Sequence, residues 1–315
     1  MRRRSWWHEL PVGDRARRQW EHRWKRYCGH HLAMGHEITR RRFLVGAGSA
    51  GALVVGGGGT LAATRPHTVR RFLHRRGLLG GPDARVPDVD APVEYAELES
   101  AAVHRRVAYG LSLPASAPKA VLVALHGRGG SHRDPFDDLG LHRFVAAAQL
   151  PFAVVAVDGG ESFWHARADG TDTQKLVIDE LMPTVATRAP GAVPVVIGWS
   201  MGAYGALLLA EKHPGTFKAV VASSPSIWRT PGEAAAGAFD DADDFAGNDV
   251  LTGASTLVGA DTRIDCGDDD VFADTSRELV HSTGASGGVR AGYHESETWR
   301  SFIPDQLEFI RSRIL

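Results

Sequence analysis

The chain has 315 residues, 43% of them hydrophobic, and a formal net charge of −1 from 36 Lys+Arg against 37 Asp+Glu. That much apolar material can bury one substantial core, but the near-neutral sum conceals two opposite parts: residues 1–76 hold 17 Lys+Arg and 4 Asp+Glu, residues 77–315 hold 19 and 33. An acidic body argues against nucleic acid as a partner, and the basic N-terminus, with Trp6, Trp7, Trp20 and Trp24 among its arginines, offers only composition in favour of one.

In chain order, Thr39-Arg40-Arg41-Arg42-Phe43-Leu44 precedes an uncharged, glycine-rich apolar run from Val45 to about Thr64. This is the pattern of a twin-arginine export signal. A membrane anchor is the competing reading, since about 20 uncharged residues span a bilayer, but seven glycines lower the run's hydrophobicity and helix propensity. The expectation is a leader over residues 1–64 that engages the twin-arginine translocase, with any membrane contact confined to it, and an exported or envelope-associated body. Met34 is an alternative start, and Leu61-Ala62-Ala63 is only a fair cleavage site. Residues 65–92 read as a basic linker and Gly/Pro hinge. Cys28 falls in the leader, so an exported domain would hold Cys266 alone and no internal disulfide; flanked by apolar strand residues, Cys266 reads as a buried side chain rather than a nucleophile.

Residues 93–315 alternate strands and helices in the manner of a wound α/β sheet. An antiparallel pair is expected at about Val93–Ser100 and Val103–Leu113, then a strand at Ala120–Leu125, a helix near Pro135–Ala148, a strand at Phe152–Val157, a helix over Thr173–Ala189 and a strand at Val193–Ile197. After a helix ending at Lys212 come a strand at Phe217–Ala222, an irregular acidic stretch from Ser226 to about Asn248, a short helix near Val250–Val258 and a strand ending at Cys266. A helix at Phe272–Thr283, a strand at Gly288–Tyr293 and a helix at Trp299–Ile314 close the order.

Between the fifth strand and its helix stands Gly198-Trp199-Ser200-Met201-Gly202. Glycines two residues to either side allow a sharp strand-to-helix turn that lifts the serine hydroxyl above the sheet. Gly284-Ala285-Ser286-Gly287-Gly288 fits the same pattern, but no strand precedes it. Ser200 is therefore the candidate nucleophile. A serine hydroxyl needs a histidine to take its proton, and the imidazole needs an acid to fix its tautomer. Asp268, Asp269 and Asp270 lie in a loop after a strand and His294 just beyond the last strand. Calcium binding by the acidic cluster lacks the alternating ligand spacing of a known loop. No His-Glu-x-x-His or paired-cysteine spacing is present, so neither metal nor cofactor is expected.

The layout resembles the α/β-hydrolase fold: a mostly parallel sheet of about eight strands, helices on both faces and a minimal cap, with the nucleophile after the fifth strand. That resemblance implies the order nucleophile, acid, base; by Gly-x-x-Asp spacing it points to Asp270 as the acid, and by chain order to His294 rather than His126 or His165 as the base. With the loop His126-Gly127-Arg128-Gly129-Gly130, the set resembles the esterase family that includes S-formylglutathione hydrolase, feruloyl esterases and the secreted mycolyltransferases, over roughly Val93 to the C-terminus. The resemblance implies an oxyanion hole from the backbone N–H groups of Arg128 and Met201, and Gly127 at the substrate. It places the loop around Trp164 at the acyl site; Trp164 and Trp199 stand as either pocket walls or core, and the Arg128 side chain as either an anion contact or solvent-facing. Ala203 departs from the family, many of whose members have a second glycine there. The function implied is a serine carboxylesterase acting on a small-molecule or envelope ester, with an acyltransferase on the same triad and an inactive binding protein as alternatives. The segment 226–248 is too short and polar for a large lipase lid.

Overall fold

The computed structural model describes residues 85–315. Residues 1–84, with the twin-arginine segment, the apolar run after it, Cys28 and Met34, lie outside the described residues.

Among the described residues, eight strands form one sheet in the order β1-β2-β4-β3-β5-β6-β7-β8. They are β1 Glu94–Ser100, β2 Arg105–Ser112, β3 Ala120–Leu125, β4 Phe152–Val157, β5 Val193–Trp199, β6 Ala219–Ser223, β7 Thr262–Gly267 and β8 Ser286–Arg290. The pairs β1–β2 and β2–β4 are antiparallel and every later pair is parallel, so β2 alone runs against the rest. This is the α/β-hydrolase arrangement.

The central strands are apolar at nearly every position, β3 and β4 throughout, because both of their faces are covered. Leu122, Ala124, Val154, Ala156, Val195, Ile197 and Val221 turn to one side and pack with Leu141 and Phe144 of helix α2 (Leu141–Ala147) and Ile303, Leu307 and Ile310 of the C-terminal helix α9 (Ser296–Ile314). The alternate residues Val123, Leu125, Val155, Val157, Val196 and Ala222 are buried as well. Over them lies α5 (Met201–Lys212), which packs on β3, β5 and β6 and is buried from Met201 to Leu209.

Four sequence expectations need correction. The helix expected over Pro135–Ala148 is two, α1 (Asp134–Asp137) and α2, because Gly140 between them takes φ 66° and a Cβ there would meet Val86 at 2.3 Å. The helix expected over Thr173–Ala189 starts at α3 (Thr173–Lys175), where the Asp172 carboxylate accepts from Gln174 N–H and Lys175 N–H. It then widens to a π-helical turn over Leu176–Leu181 and ends as α4 (Met182–Ala186). Pro183 at the start of α4 has no N–H to give to an α-helical ladder, and the widened turn accommodates it: Met182 N–H reaches back to Val177 O. The acidic stretch expected to be irregular contains α6 (Ala242–Gly247), capped by the Asp241 carboxylate accepting from Asp244 N–H. Ser286, expected in a loop, opens β8, which pairs with β7 from Arg263↔Ser286 onward.

Between β6 and β8 lie α7 (Val250–Gly253), β7 and α8 (Ala273–Thr283). No described helix is long and apolar enough to cross a membrane.

Candidate active site

Parallel strands that end together bring the loops at their C-terminal edge to one place. In register, Leu125 of β3 lies beside Gly198 of β5, and Trp199 of β5 beside Ser223 of β6. The chain after each of these points builds the site.

Ser200 sits between β5 and α5 at φ 56°, ψ −116°, a conformation a side-chain-bearing residue adopts only at a cost of about 1–3 kcal/mol. Its surroundings enforce the turn. A Cβ on Gly198 would lie 2.1 Å from Gly202 O, and one on Gly202 would lie 1.9 Å from Leu125 O, so only glycine fits at either place. Ser200 N–H donates to Ser223 O at 2.9 Å, and Ser200 O accepts from Tyr204 N–H at 3.0 Å and Ser226 N–H at 3.1 Å.

The three residues assigned from sequence are brought together. Ser200 Oγ is 2.8 Å from His294 Nε2, and His294 Nδ1 is 2.9 and 3.1 Å from the two Asp270 carboxylate oxygens. A carboxylate only accepts, so Nδ1 carries the proton and Nε2 presents its lone pair to the serine. Asp270 is held in turn by Phe272 N–H, which donates to Oδ1 at 2.9 Å. The His294 ring is set edge to face between Phe272 (5.4 Å) and Trp299 (5.1 Å), and the Trp299 indole N–H donates to Ser224 Oγ at 3.0 Å. Asp268 is occupied elsewhere: its carboxylate accepts from Gly292 N–H at 3.0 Å.

The loop after β3 closes on the nucleophile. Gly130 N–H donates to Gly127 O at 3.1 Å with Gly129 at φ 73°, the pattern of a type II turn that has Arg128 at its second position. Gly127 packs directly on the nucleophile, since a Cβ there would be 3.4 Å from Trp199 O and 3.6 Å from Ser200 Cβ. His126 braces this loop: Gly159 N–H donates to its Nε2 at 3.1 Å, leaving Nδ1–H to donate to Gly127 O at 2.8 Å. Burial holds the His126 imidazole below the usual histidine range, consistent with that neutral form. The Arg128 side chain is partly exposed and bridges Glu161 (3.3 Å) and Ala236 O (3.0 Å), tying the loop to the segment after β6.

Of the two readings open for Trp164 and Trp199, pocket wall or core, burial places both in the core. Trp164 has no exposed surface: its indole N–H donates to His126 O, and its ring fills space left by Gly159 and Gly205, where a Cβ would come within 2.6 and 2.5 Å of it. Trp199 is buried in the core beside Ile197 and Val221. Both are packing residues. His142 is also buried. Cys266 is a buried free thiol, its pKa pushed well up by burial and by the nearby Asp270 charge. The residue that sequence reasoning missed is Ser226, whose hydroxyl lies 3.1 Å from Ser200 Oγ.

A family described as "Putative esterase" matches residues 100–310. The chain belongs to this esterase family. It is 30% identical over 167 residues to a protein named "Putative esterase NocK" from Nocardia uniformis subsp. tsuyamanensis. That match spans 48% of this chain and 47% of that protein, so the chain covers about half the length of that relative. Among solved structures, a ferulic acid esterase superposes with a TM-score of 0.62 at 21% identity, covering 72% of this chain and all of that one. An S-formylglutathione hydrolase from Agrobacterium tumefaciens gives 0.61 at 18%, covering 71% and 96%. These two likenesses show the shared α/β-hydrolase fold. The segment after β6 is fastened by Arg167. Its guanidinium donates to Gly237 O and Ala238 O (both 3.1 Å) and pairs with Asp240 at 2.7 Å.

Proposed function

We propose that this esterase-family chain hydrolyses a carboxylic ester through an acyl-enzyme on Ser200. The observation that carries the reading is the placement of one imidazole, its two nitrogens within 2.9 Å of a buried carboxylate and of a hydroxyl on a strained turn. Neutral His294 accepts the Ser200 proton at Nε2 as Oγ bonds to the ester carbonyl carbon, and Asp270 stabilises the imidazolium that forms. The carbonyl oxygen becomes an oxyanion, for which Met201 N–H at the start of α5 and Arg128 N–H in the β3 turn are the donors, each worth roughly 3–4 kcal/mol in the transition state. As the intermediate collapses, the alcohol leaves with the proton from His294. Water then gives a proton to His294 and attacks the acyl carbon, and Ser200 Oγ leaves as the hydroxyl, reprotonated from Nε2. No cofactor enters this sequence.

The substrate class we assign is a short-acyl ester of a small molecule or of an envelope component. The segment 226–248 supports this, being short, acidic and pinned to the body by Arg128 and Arg167. We also propose export through the twin-arginine translocase, on the strength of Arg40, Arg41 and Arg42 ahead of the uncharged run. The test is a series of p-nitrophenyl esters of rising chain length, with and without glycerol or trehalose as acceptor. Free acid released fastest from the short esters, with acceptor making no difference, is the expected result. Acylated acceptor in place of free acid would make the chain a transferase, and no turnover of any ester would remove the reading.

A further inference from the structure

We infer that Ser226 is a catalytic residue, a hydroxyl donor to the nucleophile oxygen in both half-reactions; this rests on the esterase reading above. The argument is one of proton counting. Nδ1–H of His294 donates to the Asp270 carboxylate, so Nε2 is the acceptor for the Ser200 hydroxyl at 2.8 Å. Only one proton can lie between Ser200 Oγ and Ser226 Oγ, 3.1 Å apart, and with the Ser200 proton already directed to Nε2 that proton belongs to Ser226. Ser226 is buried, and its backbone N–H is committed to Ser200 O at 3.1 Å, so its position is fixed to the nucleophile at two points. Pro225 before it fixes one backbone torsion, and Ser224 before that sits at φ 52°, with its N–H on Asp265 O. The tip of β6 is thus built to place one hydroxyl against the reacting oxygen.

A donor on that oxygen does little for a neutral alcohol and more for an oxygen carrying charge. In acylation, Ser200 Oγ gains negative character as its proton passes to Nε2 and its electron pair forms the bond to the acyl carbon. In deacylation the same C–O bond breaks, the electron pair returns to Oγ, and Nε2–H supplies the proton. The Ser226 hydroxyl keeps its own proton throughout and stabilises the oxygen at both moments.

The test compares full-length wild-type, S226A and S226T for p-nitrophenyl acetate hydrolysis, for the rate at which a fluorophosphonate labels Ser200, and for melting temperature. S226A is expected to lose about tenfold in kcat and in labelling rate, ~1.4 kcal/mol, with KM within twofold; S226T, which restores the hydroxyl, is expected to recover to within about threefold. S226A at parity with wild-type, or S226A and S226T equally impaired, overturns the inference, since either result shows that the hydroxyl itself does not act. If S226A does not fold, S226C fills the site with a weak donor: a loss of fivefold or more supports the inference and parity overturns it. Wild-type that neither turns over ester nor labels at Ser200 fails the esterase reading instead, a result distinct from any ratio between variants.

Discussion

Replacing Asp270 by Asn is expected to abolish most activity by reversing one tautomer. Asp270 Oδ1 accepts from Phe272 N–H at 2.9 Å, while Oδ2 lies 2.9 Å from His294 Nδ1. An asparagine has a single oxygen, and the Phe272 N–H holds it at the Oδ1 position, 3.1 Å from Nδ1, which leaves the closer Oδ2 position to the NH2. The amide NH2 then faces His294 and donates to Nδ1, which moves the ring proton to Nε2. A protonated Nε2 cannot take the Ser200 proton, although no side chain has changed size. In serine proteases the equivalent tautomer error costs roughly 10⁴ in kcat, about 5.5 kcal/mol, and the same order is expected here. The assay is kcat for p-nitrophenyl acetate at pH 7–8, alongside the melting temperature. Asp268→Asn serves as a control, since its oxygen can still accept from Gly292 N–H, and it is expected within threefold of wild-type. D270N within tenfold of wild-type, or D268N as impaired as D270N, would refute the reasoning.

Three further outcomes follow from burial. Burial depresses the pKa values of His126, His132 and His142, the last to about 4. The unfolded chain therefore takes up protons first, and stability is lost as pH falls from about 6.5 toward 4. Burial raises Asp134 and Glu211, which partly offsets the loss in the lower part of that window. Urea melts should show the decline, and His142→Leu should flatten it by on the order of 2 kcal/mol after allowance for solvent screening; a slope unchanged by that substitution would remove His142 as a cause. Trp164→Phe removes the donor to His126 O and part of the packing, and should cost about 1–2 kcal/mol of stability with KM unchanged along an acyl series; a KM effect that grows with acyl size would return Trp164 to the pocket. Cys266 should resist a disulfide-exchange reagent in native protein and react in guanidinium, read by peptide mapping; rapid native labelling would contradict its placement at a buried strand end.

The parts of the site legible in the sequence are those written into local backbone. Ser200 announces itself because Gly198 and Gly202 have no room for a side chain, and the strand before and helix after are plain apolar runs. Asp270 and His294 stand directly after β7 and β8, where a fold with parallel strands collects its loops. Ser226 was not legible: its meeting with Ser200 depends on β5 and β6 ending in register at Trp199 and Ser223, which no spacing within either segment encodes. Trp164 was ambiguous for a related reason. An aromatic residue in a loop reads the same whether it faces a pocket or a gap, and the gap is made by Gly205, forty-one positions later. One helix break involves a distant contact too: at Gly140, in the left-handed region, a side chain would meet Val86, fifty-four positions earlier.

The most direct test of the whole account is to identify the residue that carries the covalent bond. Full-length protein treated with a fluorophosphonate, digested and mapped by mass spectrometry, is expected to carry the label on Ser200. His294→Ala should label much more slowly, and Ser200→Ala should neither label nor hydrolyse p-nitrophenyl acetate. Label found on Ser226 or Ser286, or ester turnover that survives Ser200→Ala, would contradict the account.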